Sequence, residues 1–261
     1  MFYKEYKNTI IFGPCFSLRF IKDSKFYLCR YLIDSNSLMI EFAAISKKHR
    51  FLLITYFQFL VLGILFLIFH SNLEISLFIN RLNAPFLDFF FKYWTLFGTF
   101  TLIGPIILIQ CFFKYRYALI SAVSSLMGFL LVQIAKRFVW YDAPRPKVFF
   151  DKLPDIHYVA GIQLNAAHSF PSGHTTGAFA LFIALALMSK RPLWQMMCLI
   201  TALLVGYSRL YLSQHFAIDV VVGSAIGTVS AMLSYHWFIN LPKKGLDKSL
   251  KTLFKRSHSE P

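Results

Sequence analysis

Residues 51–69, FLLITYFQFLVLGILFLIF, carry no charge over a length that a helix rising about 1.5 Å per residue needs to cross a bilayer core. The basic cluster Lys47-Lys48-His49-Arg50 abuts the run directly. Further uncharged runs follow the same plan. One covers 93–113 and ends at Lys114-Tyr115-Arg116, and the next covers 117–135 and ends at Lys136-Arg137. A fourth, 175–189, precedes Lys190-Arg191-Pro192, and a fifth and sixth cover 193–207 and 220–241. Residues 71–92 scatter Glu74, Arg81, Asp88 and Lys92 among Leu, Ile and Phe, the pattern of an amphipathic segment lying along a membrane surface. The expected fold is all-α: a polytopic membrane protein with six transmembrane helices and one interfacial segment.

Composition excludes a soluble domain. The chain is 57% hydrophobic and 15% charged over 261 residues, and Lys plus Arg exceed Asp plus Glu by 27 to 12. A surplus of +15 suits a nucleic-acid binder in other contexts. Here the basic residues stand in short clusters between apolar runs, which fits topology signals and anionic headgroups, with no nucleic-acid partner. Cys15, Cys29, Cys111 and Cys198 show no paired spacing, so neither a disulfide framework nor a metal site is expected.

Three parts are expected. Residues 1–46 lack the apolar core of a signal peptide and read either as an interfacial region or as an extension ahead of a native start at Met39. Residues 47–242 form the six-span membrane domain, and 243–261 a basic tail. Six spans put both termini on one side, together with the clusters at 47–50, 114–116, 190–191 and 243–244, and the positive-inside rule makes that side cytoplasmic. Loops 70–92, 136–174 and 208–219 then share the opposite face. Lys136, Arg137, Arg145 and Arg209 oppose the charge rule, and binding an anion is the job that explains them.

Three stretches on that face carry chemistry. In 208–219, SRLYLSQHFAID, a helical second half would set His215 and Asp219 four apart on one face, so that the carboxylate holds one ring nitrogen and leaves the other free. Arg209, next to Ser208, supplies a cationic fork for phosphate. In 168–174, HSFPSGH, Pro171 suits a first helical turn. The backbone donors of Ser172, Gly173 and His174 would then face an anion at a helix N-terminus. The third stretch runs from Lys136-Arg137 to Arg145-Pro146 directly after the third span. Each has an ordinary reading: a surface pair, a capped helix start, a snorkelling interface loop.

Together, in this order, they resemble the signature motifs of the type 2 phosphatidic acid phosphatase superfamily, whose pocket is shared with vanadium haloperoxidases: Lys-x6-Arg-Pro, Pro-Ser-Gly-His and Ser-Arg-x5-His-x3-Asp. The second and third are matched in full, and the stretch Asn83-Ala84-Pro85-Phe86-Leu87-Asp88 with Thr95 and Gly98 is a weaker likeness. The first departs from the pattern. Phe138 stands seven before Arg145, with Arg137 eight and Lys136 nine before it. Lys136 is the expected phosphate-binding lysine, and Arg137 the alternative.

The resemblance implies a hydrolase of lipid phosphomonoesters or pyrophosphates, needing no metal or other cofactor. His215 would attack phosphorus, oriented by Asp219, and His174 would protonate the leaving oxygen. Lys136, Arg145, Ser172, Gly173 and Arg209 would hold the phosphoryl oxygens, with Ser208 and His168 nearby. The implied partner is a phosphorylated membrane lipid and the implied location a bacterial inner membrane, with the site facing the periplasm or exterior. Phosphatidic acid, phosphatidylglycerol phosphate, undecaprenyl pyrophosphate and lipid A phosphates all fit, with a lean towards lipid A. A lipid-to-lipid phosphotransferase and a non-catalytic lipid binder are the rival readings. Oligomeric state leaves no signal in the sequence.

Overall fold

The computed structural model describes residues 47–242 and 245–250, and all the secondary structure among them is helical. The expectations for 1–46 and for most of the basic tail lie outside the described residues. In chain order the helices are α1 (Arg50–Phe69), α2 (Asn72–Arg81), α3 (Pro85–Trp94), α4 (Phe100–Gln110), α5 (Tyr115–Ile134), α6 (Pro146–Phe150), α7 (Gly173–Leu187), α8 (Pro192–Tyr211) and α9 (Ala217–Ile239). A 3₁₀ turn, Thr95–Gly98, joins α3 to α4, and a π-helical turn, Ala135–Val139, extends α5.

Helix α7 is the axis of the bundle, with α5, α8 and α9 packed around it. Its sequence GHTTGAFALFIALAL is apolar on every side beyond the first turn, and a helix of that kind must be covered on every side. Ala178, Leu181, Ile183 and Ala184 have no exposed surface. Small residues let the neighbours approach: a Cβ on Gly227 of α9 would stand 2.5 Å from the Thr176 carbonyl oxygen, so only glycine fits that crossing. By contrast α1 buries only Leu52 and Tyr56 and turns its Phe, Leu and Ile side chains outward, as a helix facing lipid does.

The six expected spans are only partly matched. Four helices, α1, α5 with its π turn, α8 and α9, are long and apolar enough to cross a membrane. The uncharged run 93–113 is not one straight span. Its chain bends by 55° between α3 with the 3₁₀ turn and α4, so it makes a fifth span only when counted across the bend. The break follows from Gly98 and Thr99, where the backbone turns extended (φ −95°, ψ 154°) before α4 starts. Helix α7, with 15 residues, reaches about 22 Å, short of a roughly 30 Å hydrocarbon core. The amphipathic stretch 71–92 becomes two helices, the first opened by a reciprocal cap between Ser71 and Glu74.

Candidate active site

The C-terminal ends of α5 and α8 and the N-terminal ends of α7 and α9 meet at one end of the bundle, around a cavity of about 570 Å³. Lys136, Arg145, Gly173, His174, Arg209 and His215 line it, joined by Thr95, Gln214 and Lys92.

His215 and Asp219 come together by a different route from the one the spacing suggests. Helix α8 runs on through Ser208 and Arg209 to Tyr211, and α9 starts only at Ala217, so His215 precedes the helix rather than sharing its face. Asp219 occupies the third position of α9 and reaches back over its N-terminus, where a carboxylate is favoured. Its Oδ2 accepts the Phe216 backbone N–H (3.0 Å), lies 3.2 Å from His215 Nδ1 and accepts the Ser169 hydroxyl. With Nδ1 held by a carboxylate, the His215 proton sits there and the Nε2 lone pair is left for the cavity. His215 is 2% exposed. Burial, then the charges of Arg209, Arg145 and Lys136, push its pKa well below 6.5, so the ring is neutral at pH 7.

The cations are fixed by carbonyls and polar side chains around them. Arg209 donates from Nη1 to Thr95 Oγ1 (2.7 Å), while its buried Nε has no hydrogen-bond partner among the described residues. Arg145 donates to the carbonyls of Ala167 (3.0 Å) and Gln214 (3.0 Å) and to Gln214 Oε1 (3.1 Å). Burial lowers the Arg145 pKa from its ordinary value, partly offset by the Asp219 charge. Lys136 Nζ donates to the His168 carbonyl (2.8 Å). The loop leading into α7 is thereby tied to the helices that carry the cations.

The other expected residues sort by position. Arg137, one step beyond Lys136, is exposed and does not line the cavity. Within the π turn the Trp140 N–H reaches the Ala135 carbonyl five residues back (2.8 Å), which takes one extra residue into the turn. This accounts for part of the lengthened spacing between Lys136 and Arg145. Pro171 is not in the first turn, because Ser172 is the cap of α7 and Gly173 its first residue. The Ser172 N–H goes to the Asp219 carbonyl (3.0 Å), and its buried Oγ accepts from Thr175 Oγ1 (2.9 Å). Ser172 thus ties α7 to α9, and the donors left at the cavity are the first-turn N–H groups of Gly173 and His174, which have no partner four residues back. Ser208 turns its hydroxyl into its own helix, to the Val205 carbonyl (2.6 Å). The His168 ring is exposed and stands edge-on to Tyr141, and only its carbonyl touches the cations.

Several contributors were legible only as a weak likeness, as Thr95 and Gly98 were, or not at all. Thr95 and Gly98 lie in one turn: Thr95 holds Arg209, and a Cβ on Gly98 would stand 2.5 Å from the His174 carbonyl oxygen. Gln214, inside the Arg209–His215 interval, braces Arg145 and donates from Nε2 to the Gln163 carbonyl (2.9 Å). His157 is a partner of Asp88 (2.8 Å), which also accepts from Tyr211, so the 157–163 loop is fastened to α3 and α8. Among the described residues no group of three or more His, Cys, Asp or Glu converges as a metal ligand set would.

The PAP2 superfamily model matches residues 117–243, which include every cation and both histidines of this cavity except those on α3. The crystal structure of Aquifex aeolicus LpxE superposes with a TM-score of 0.55 at 29% identity, covering 63% of this chain and 94% of that one. The undecaprenyl-diphosphatase BcrC of Bacillus subtilis (strain 168) is 28% identical over 47% of this chain, and the match spans 58% of that relative's length. The lipid A 4'-phosphatase of Bacteroides thetaiotaomicron is 24% identical over 62% of this chain and 74% of its own length. Both histidines of the cavity and three of its cations, Lys136, Arg145 and Arg209, lie inside the stretch that resembles the PAP2 superfamily.

Proposed function

We propose that this membrane protein hydrolyses a phosphomonoester or diphosphate on a lipid, through a phosphohistidine at His215 and without a metal or other cofactor. The observation that carries the reading is the His215 ring itself. It is neutral, held at Nδ1 by Asp219, and shares a cavity with Lys136, Arg145, Arg209 and a second histidine. Burial, then the charges of Arg209, His215, Arg145 and Lys136, hold the His174 pKa well below 6.5, and a phosphoryl dianion bound beside it offsets those charges and lets the ring take up a proton. In the first step Nε2 forms a bond to phosphorus as the bond to the lipid oxygen breaks, and His174, so protonated, gives its proton to that oxygen. In the second step a water attacks phosphorus, neutral His174 takes its proton, and the N–P bond breaks to release inorganic phosphate. Arg209, Arg145, Lys136 and the first-turn N–H groups of α7 stabilise the charge on the equatorial oxygens. Asp219 supports the imidazolium character that develops on His215.

The bent α3–α4 pair and the short α7, counted as spans, complete six crossings. Lys47, Lys48, Arg50, Lys114, Arg116, Lys190 and Arg191 then stand at the ends of the helices away from the cavity, which supports a reading with the site on the extracytoplasmic side of a bacterial inner membrane. The substrate headgroup would lie in the outer leaflet. The names of the relatives point to lipid A and polyprenyl diphosphate as substrate classes. Phosphate release from both, by detergent-solubilised wild type and His215→Ala with EDTA present, tests the reading. Release that survives EDTA and vanishes in the variant is expected. Release that survives in the variant, or only with acceptor lipid present, defeats it, the latter in favour of a phosphotransferase.

A further inference from the structure

The cavity is larger and more cationic than one phosphate group requires. Its lining holds Lys92, Lys136, Arg145 and Arg209 and no Asp or Glu, whereas a phosphomonoester carries a charge of about −2 at most near neutral pH. Three of the four cations surround the histidines: Arg209, Arg145 and Lys136 are the charges that act on His215. Lys92 is not among them. It belongs to α3 and marks the outer part of the cavity, with Tyr93 on its own helix and Gly161, Gln163 and Asn165 on the facing loop.

Its position is built. The Nζ donates to the Ala160 carbonyl (2.7 Å), and Gly161 passes so close that an added Cβ would stand 2.8 Å from that nitrogen, in a backbone conformation (φ +76°) that favours glycine in any case. The loop that meets it is itself anchored, through His157 to Asp88 and Asn80 and through Gln163 to Gln214. An ammonium has three donors, and the Ala160 carbonyl uses one. Two therefore remain for a ligand, on a half-buried side chain.

We infer that Lys92 forms a second anion subsite, which binds a further phosphoryl group on the lipid headgroup beyond the one transferred. The inference rests on the hydrolase reading for its substrate but not for its binding chemistry. The second group has two sources: the non-scissile phosphate of a diphosphate, or a separate phosphate across a bisphosphorylated sugar headgroup.

The test is titration of the full-length, detergent-solubilised protein with methylenediphosphonate and with orthophosphate, for wild type, Lys92→Gln and Lys92→Arg. Wild type should prefer the diphosphonate, Lys92→Gln should lose about tenfold or more of that preference, and Lys92→Arg should keep most of it. Equal weakening of both probes, or no weakening of either, overturns the inference. Circular dichroism and a monodisperse elution profile check that the variants fold. KM values for a polyprenyl diphosphate, a bisphosphorylated disaccharide lipid and a lipid monophosphate then identify the source: the substrate whose KM rises in Lys92→Gln carries the group. If wild type hydrolyses none of them while the binding preference still depends on Lys92, the hydrolase reading fails and the subsite stands.

Discussion

Gly98→Ala is the substitution that tests most sharply how the site is held. The added Cβ would stand 2.5 Å from the His174 carbonyl oxygen and 2.9 Å from Val205 Cγ1, whereas ordinary contact begins at 3.4 Å. The nearest neighbour is backbone in the first turn of α7 and cannot rotate away. Relief therefore needs 3.4 − 2.5 = 0.9 Å of separation between the 3₁₀ turn and that helix start. Whichever side moves, Thr95 shifts relative to His174, and Thr95 holds Arg209. Overpacking of this kind costs about 1–3 kcal/mol of stability, and a displacement near 1 Å in a reacting constellation costs on the order of 100-fold in rate. The expected result is a lower melting temperature with kcat/KM for phosphate release down by roughly that factor. Gly104→Ala is the control, because its Cβ would meet nothing nearer than 3.8 Å and should leave both quantities near wild type. Wild-type activity in Gly98→Ala, with no loss of stability, would refute the claim that this turn positions the site.

Three further predictions concern single groups. Lys136→Ala should lower kcat/KM by about 10–100-fold, the worth of one charge-assisted contact, while Arg137→Ala stays within about twofold. The reverse ranking would reassign the first-motif cation. Ser169→Ala removes one of three donors to Asp219 Oδ2, so kcat should fall by about tenfold with KM little changed, and Ser169→Thr should restore part of it. An effect on melting temperature alone would make Ser169 merely structural. Acidification should destabilise the fold through His215. The unfolded ring takes a proton near 6.5 and the buried one does so only well below that, so the unfolded state binds more protons in between and stability falls as pH drops from 7 through this window. His174 and His49 have lowered pKa values as well, so His215→Asn should reduce that slope in a thermal-shift series without abolishing it, and an unchanged slope would contradict the neutral-ring reading.

The residues of the motifs were legible because their spacing follows from where four helix ends meet, and the apolar runs marked most of those helices. What escaped depended on backbone geometry that composition does not encode. The run 93–113 is uninterrupted in hydropathy, yet Gly98 breaks it so that the turn can lie against His174. Counting back from Arg145 could not choose between Lys136 and Arg137, because a π turn rotates the chain by one extra residue there. Helical spacing suggested a shared face for His215 and Asp219, whereas the pair forms across a helix start. Ser172 and Ser208 show the limit of reading roles from residue type: both hydroxyls satisfy backbone or neighbouring groups. Gln214 and Ser169 are ordinary polar residues in the sequence and become visible only through the partners they hold.

The most direct test of the central claim is to mix the purified protein with a lipid substrate carrying ³²P in the scissile phosphate and quench within the first turnover. A label on the protein that is stable to alkali, lost in acid and absent from His215→Ala is the predicted result. Phosphate release at full rate with no such label, or a label that persists in His215→Ala, would contradict a phosphohistidine at this position.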